Sequence, residues 1–359
     1  IDLGYDDTLD DYVLTENISG VTELYISERE ISDLMGIEDF TALTYLRATN
    51  NQLTSPDVSS NTALTYLNFS ENELTSLDVS NNTALTYLGC QDNNLSALDV
   101  SNNTSLIELS CKHNEITSLD VSANTALEYL YCNDNQLTSL DLSNNTALVE
   151  LRCGENQLTA LDVSANTALH TLWCRDNQLT SLDVSANTAL NYLQCYNNQL
   201  TSLDVNGATS LEILWCHGNQ LTSLDVSSNT ALRNLDCHNN QLTSLDVSAN
   251  TALEWMYFNN NQLIHLNMKN GVTDQSEQFN ATNNSLDCIE VNEEDVDWAT
   301  ENWTYENGNI DEGVEFSVVC APEGYTYVPD DNFEQALVDL GYDSAVDDFV
   351  LTENISGVT

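Results

Sequence analysis

Eight cysteines, Cys90, Cys111, Cys132, Cys153, Cys174, Cys195, Cys216 and Cys237, stand 21 residues apart without exception. A fixed period of that length restricts the chain to a stack of small units, none of which can bury its apolar face alone. The column continues past the cysteines. Ile26, Ala48 and Phe69 precede them and Phe258 and Ala281 follow, which makes thirteen repeats with a first interval of 22 and a last of 23. One unit runs from Leu148 through Leu151, Cys153, Asn156, Leu158, Leu161, Asp162, Val163 and Asn166, or LxxLxCxxNxLxxLDVSxNTA. Its LxC segment alternates with period 2, so it predicts a short parallel strand with Leu and Cys pointing inward. In LDV, Leu161 and Val163 point inward and Asp162 outward by the same rule.

The first half of the unit follows the leucine-rich consensus, with cysteine replacing the third aliphatic residue. The fold expected is a leucine-rich repeat solenoid with a parallel β-sheet on its concave face. The solenoid should occupy 21–285, after the remainder of an N-terminal helical cap at 1–20. A C-terminal cap follows at 286–320, and 321–359 holds a linker and the N-terminal cap of a next module. Asn156 and its equivalents (Asn51, Asn72, Asn93, Asn114, Asn135, Asn177, Asn198, Asn219, Asn240, Asn261 and Asn284) should form a ladder whose amides satisfy backbone groups at the turn. Neighbouring cysteines in a parallel stack point the same way, so their sulfurs cannot reach the disulfide dihedral. A straight column also lacks the tetrahedral convergence zinc needs. The eight are core residues. Cys288 and Cys320 remain as a disulfide closing the C-terminal cap, around Trp298 and Trp303, and such a bond suits an oxidising, extracellular setting.

The 21-residue LxxLxCxxNxLTxLDVSxNTx unit resembles the cysteine-ladder internalins, bacterial surface leucine-rich repeat proteins, over about residues 43–270. The resemblance implies a concave sheet that contacts host or neighbouring-cell molecules. The chain departs from the family in two ways. It has no LPxTG-type wall anchor in this stretch, and its opening does not match the internalin helical cap.

Residues 1–22 recur at 338–359 with 17 of 22 positions identical, an offset of 337. The later copy follows YVPDDNFEQALVDLGYD. There Asp330 or Asp331 can cap a helix with Phe333, Leu337 and Leu340 on its apolar face, ended by Gly341. Residues 1–4 then read as the tail of an equivalent helix over the open edge of the first repeat, and the polypeptide as a stiff tandem array of such modules.

Fifty-seven acids against 7 bases give a net charge of −50. Nucleic acid is excluded as a partner because phosphate binding needs a basic face, and no apolar run of 18 residues provides membrane insertion. On the concave face the outward positions lie at −3, −1 and +1 from the column. They hold a run of Tyr45, Tyr66 and Tyr87, which can be a purely structural stack. They also hold a varied set, Tyr129, Tyr131, Arg152, Trp173, Arg175, Tyr192, Tyr196, Trp215, His217, Trp255 and Tyr257. Tyr, Trp and Arg dominate binding hot spots, and open rings suit stacking on sugars. That set is the expected site for a glycan or a surface protein on another cell. The competing expectation is a filament or layer whose partners are neighbouring modules of the same polypeptide. Asp57, Asp78, Asp99, Asp120, Asp141, Asp162, Asp183, Asp204, Asp225 and Asp246 form an acidic column. Carboxylates about 5 Å apart repel by about 0.8 kcal/mol per pair even in water, offset where each accepts N–H bonds in its own DVS turn. The column is therefore read first as structural and second as a calcium site. No catalytic motif is present, so no enzyme activity is expected. The five histidines include no pair at metal-ligand spacing. Thr8 and Ser344, in Asp-Thr-Leu and Asp-Ser-Ala, match a three-residue O-glycosylation signal.

Overall fold

The computed structural model describes residues 4–5, 11–321, 324–328, 330–346 and 349–356. Thirteen three-residue strands, from Glu23–Tyr25 to Gln278–Asn280, form one parallel sheet in repeat order. Register follows the repeat throughout: Leu130 pairs with Leu151 and Leu151 with Leu172. The central residue of each strand is buried and the column residue just after it completes the inner face. All eight column cysteines are free and fully buried. Burial pushes their thiols up, to about 12 at Cys111 and Cys174, so they stay protonated and inert.

After each strand the chain turns through a residue in the left-handed region, such as Glu155 at φ 54° and Asp176 at φ 54°. The asparagine that follows secures the turn. Asn156 Nδ2 donates to the carbonyls of Cys153 (3.2 Å) and Cys132 (3.0 Å), and its Oδ1 accepts from Leu137 N–H at 2.9 Å. Each amide thus ties three segments of two adjacent repeats, which is the role expected of the ladder. A second, fully buried ladder runs opposite, where Asn166 Nδ2 donates to the carbonyls of Leu142 (3.1 Å) and Asn145 (2.8 Å).

The C-terminal edge is covered by the helix Val296–Asn302 and the strand Glu315–Ser317, which pairs with Cys288–Glu290. Phe279 of the last repeat stacks on Trp303 at 4.0 Å, and Trp298 meets Trp303 edge-on at 5.7 Å. The Cys288–Cys320 disulfide forms, with its Cα atoms 5.7 Å apart.

Beyond it, Tyr325–Tyr327 pairs antiparallel with Phe349–Leu351, and the helix Asp331–Asp339 lies between them in sequence. Asp330 caps that helix, accepting from Asn332 and Phe333 N–H. The helix departs from expectation on its apolar face. Only Leu337 is buried, with Val328 and Val350, whereas Phe333 is 58% and Leu340 69% exposed. So small a cluster covers one turn of the helix and leaves the flanking apolar residues open. Residues 1–3 of the expected helix tail lie outside the described residues. Ile18 of the short helix Thr15–Ile18 is buried before the first strand.

Candidate functional site

The acidic column behaves as its structural reading predicts. Asp162 Oδ1 accepts from Ser164 N–H at 2.9 Å, and the equivalent bond from the residue two places on recurs from Asp57 to Asp246, with Asn206 as the donor at Asp204. Hydrogen bonds from the serine side chain and backbone hold Asp162 below its ordinary value, as they do Asp120 and Asp183.

The concave face is less open than a row of free rings. Strands about 4.8 Å apart force side chains at equivalent positions into contact. Tyr45, Tyr66 and Tyr87 stack at 4.1 and 4.2 Å. Within the varied set, Tyr196, His217 and His238 stack at 4.4 Å each, while Tyr192 meets Trp173 and Trp215 edge-on at 5.8 and 5.7 Å. The Arg152 guanidinium lies 3.7 Å over Trp173 and 5.1 Å from Tyr131, and Arg175 lies 5.6 Å over Tyr196. The expectation of open ring faces is therefore corrected. Tyr131, Trp173, Tyr192, Tyr196, Trp215 and His217 each have a neighbouring ring or guanidinium against them. Trp255, 36% exposed, is the most open of the set.

Four of the expected residues, Tyr131, Arg152, Trp173 and Arg175, line one groove of about 410 Å³. Its other walls are Tyr87 and Lys112, which the sequence places on the concave face outside the expected site, and Gln91, Glu108, Ser110, Asn133 and Gly154. Gly154 was the available signal. A Cβ there would meet Arg175 Cγ and its carbonyl at 3.0 Å, so glycine lets the arginine of the next repeat lie across. Arg152 Nε donates to Glu150 at 2.6 Å, and Arg175 bridges Glu155 and Asp176 at 2.5 and 2.7 Å. Among the described residues Lys112 has no ion pair. Burial, then Glu150, raises the Glu108 carboxyl, and burial pushes the Tyr131 hydroxyl up to about 12. Tyr129, Tyr192, Tyr196, Trp215, His217, Trp255 and Tyr257 lie on the same sheet outside this groove.

The histidines correct a second expectation. His217 and His238 are 21 residues apart, which is adjacency in this fold, and both rings face Asp236. Thr8 lies outside the described residues. Ser344 is exposed, its N–H donating to Asp343.

The family described as "Leucine Rich repeats (2 copies)" matches residues 104–144 and 209–250, and the LVIVD repeat matches 56–89 and 85–111, a stretch that continues the same solenoid. No curated protein matches the chain. Among solved structures, the functional domain of InlJ from Listeria monocytogenes, which includes a cysteine ladder, is 35% identical with a TM-score of 0.62 over 78% of this chain and 70% of that one. The internalin InlF from Listeria monocytogenes is 26% identical, TM-score 0.68, over 77% and 85%. The leucine-rich repeat protein LIC12759 of Leptospira interrogans shares the fold at 21% identity, TM-score 0.62, over 84% and 85%.

Proposed function

The chain belongs to the internalin-like leucine-rich repeat proteins, and we propose that it is a non-enzymatic recognition module working outside a bacterial cell. Its concave groove binds an acidic glycan or an acidic patch on a surface protein. One observation carries this reading. Of only 7 basic residues in a chain of net charge −50, three, Lys112, Arg152 and Arg175, line the single groove described above. Acidic surroundings repel an anion over most of the surface, so Lys112, which has no ion pair among the described residues, beside the carboxylate-paired Arg152 and Arg175 marks where one can dock. Because Arg152 already lies over Trp173 and beside Tyr131, contact there is through guanidinium, ammonium and hydroxyl groups more than through stacking. The Cys288–Cys320 disulfide supports an extracellular setting. No helix among the described residues is long and apolar enough to cross a membrane.

The test is binding of the chain to an array of neutral, uronic-acid and sialic-acid glycans and to bacterial and host surface proteins. A ligand is expected whose affinity falls by tenfold or more, about 1.4 kcal/mol, in Lys112→Ala and in Arg152→Ala. Binding indifferent to both, or no binding to any of these probes, overturns the reading. The recurrence of 1–22 at 338–359 favours a second reading, a filament of repeated modules. Ordered polymers on cells with a module-length period would support it.

A further inference from the structure

The ring stack on the last third of the concave face ends in a cluster that the groove does not use. His217 and His238 follow the column cysteines of adjacent repeats, and Asp236 precedes the second of those cysteines. Nδ1 of His238 lies 2.5 Å from Asp236 Oδ1, and Nδ1 of His217 lies 3.2 Å from Oδ2. One donor atom from each of the three falls within 4.8 Å of the others. His217 Nδ1 is shut off from solvent and makes no hydrogen bond, although the carboxylate is beside it. It is a buried polar atom aimed at an anion with nothing between them, and that is where a cation fits.

We propose that His217, Asp236 and His238 bind a divalent transition-metal ion of the zinc class, through two imidazole nitrogens and one carboxylate oxygen. Two histidines and a carboxylate suit borderline ions such as zinc, whereas calcium and magnesium take all-oxygen sets. A fourth position stays open to water or to a ligand atom on the concave face. The surroundings hold the donors in place. Tyr196 stacks flat on His217 at 4.4 Å and 9°. Trp215 and Tyr257 are the strand partners on either side of Asp236, whose side chain is only 16% exposed. Such supporting contacts fix ligand orientation.

The two imidazoles are 13° from parallel with centroids 4.4 Å apart. One ion cannot lie in both ring planes at metal–nitrogen distances of about 2.0–2.1 Å, so one ring turns. His217 is held between two rings, whereas the next repeat carries Asn259 beyond His238. His238 is therefore the ring that turns. Cys216 and Cys237 do not compete, because strand alternation places them in the core as protonated thiols.

The experiment titrates the chelator-stripped 359-residue chain with zinc by calorimetry, and with cobalt by visible absorption. One equivalent should bind, with the absorption of a low-symmetry site containing nitrogen donors. Asp236→Asn keeps the side-chain volume, and His238→Ala removes one donor. Each should weaken binding by more than the roughly 10- to 100-fold that loss of an outer-shell partner costs. His265→Ala, in a histidine 3.8 Å from Glu290, should change nothing. Thermal unfolding checks that Asp236→Asn remains folded, and that variant decides the matter if His238→Ala does not fold. Absence of stoichiometric zinc binding, or binding that both variants leave intact, overturns the proposal.

Discussion

Two stretches of the concave sheet meet the same packing constraint with opposite results. At Tyr45, Tyr66 and Tyr87 the same residue fills the same position in consecutive repeats, and the rings stack 8° and 6° from parallel. Their polar ends satisfy one another: Asn68 Nδ2 donates to the hydroxyls of Tyr66 and Tyr87, both at 3.4 Å. At Trp173, Tyr192 and Trp215 the residue type and position vary, and the rings meet at 72° and 85°. Edge-to-face contacts are as favourable as offset stacks, but they leave edges, bases and carboxylates facing outward. Regularity closes the surface on itself, and irregularity leaves groups for a ligand.

The comparison rests on a common core beneath both stretches, and the largest expected effects test that premise. Leu88→Ala, under the tyrosine stack, and Leu193→Ala, under the mixed patch, each delete a fully buried side chain. Each should cost about 2–5 kcal/mol in urea unfolding, and the two should agree within a factor of two. A large gap would show that the stretches differ in their foundations as well as in their surface. Smaller effects are expected at the surface. Tyr66→Ala removes two stacked pairs, and Tyr192→Ala removes two edge-to-face pairs. At about 0.5–1.5 kcal/mol per pair, both should lose about 1–3 kcal/mol. If Tyr192→Ala costs nothing measurable, the mixed patch is held for binding alone.

Most of the fold was legible because the solenoid makes sequence period and spatial distance the same quantity. The inward cysteines, the asparagine ladder and the acidic turns each depend on one repeat and its neighbour, and one repeat unit shows all of them. The second asparagine ladder, Asn166 and its equivalents, was visible in the NT pair of most units, with Ala208 interrupting it, but its amide bonds run between repeats and no single unit displays them. The groove was half legible. Arg152 and Trp173 stand out by type, whereas Gly154 and Ser110 contribute by being small, which only the neighbouring side chains reveal. His217 stands in the expected site, but its pairing with His238 around Asp236 escapes a rule of spacing suited to helices and loops. In a solenoid, ligand spacing includes whole multiples of the period. The Phe333 and Leu340 face was misread because periodicity shows which residues share a side, and the size of the core behind them is set elsewhere.

The smallest effect separates the two stretches by pH. Burial, followed by the hydrogen bond to Tyr66, raises the Tyr45 hydroxyl to about 12. An unfolded tyrosine titrates near 10. A raised folded value means that the protonated form is favoured on folding, so the contribution is complete below pH about 10 and is lost as pH rises toward 12. Asp236 behaves oppositely. Burial alone would raise it, but the hydrogen bond from His238 and the nearness of the His217 imidazole outweigh burial, and its folded value is lowered. Its contribution is present above the unfolded value of about 3.9 and is lost as pH falls below that. Unfolding followed across pH in the presence of chelator should therefore show two separable losses. The buried thiols add to the alkaline limb and the acidic column to the acid limb, so Tyr45→Phe should shrink the alkaline limb by one group's share and leave the acid limb unchanged, and Asp236→Asn should do the reverse. An alkaline limb unchanged in Tyr45→Phe would mean that the tyrosine stack is no more stable folded than its separate rings are in water, and the contrast between the stretches would reduce to shape.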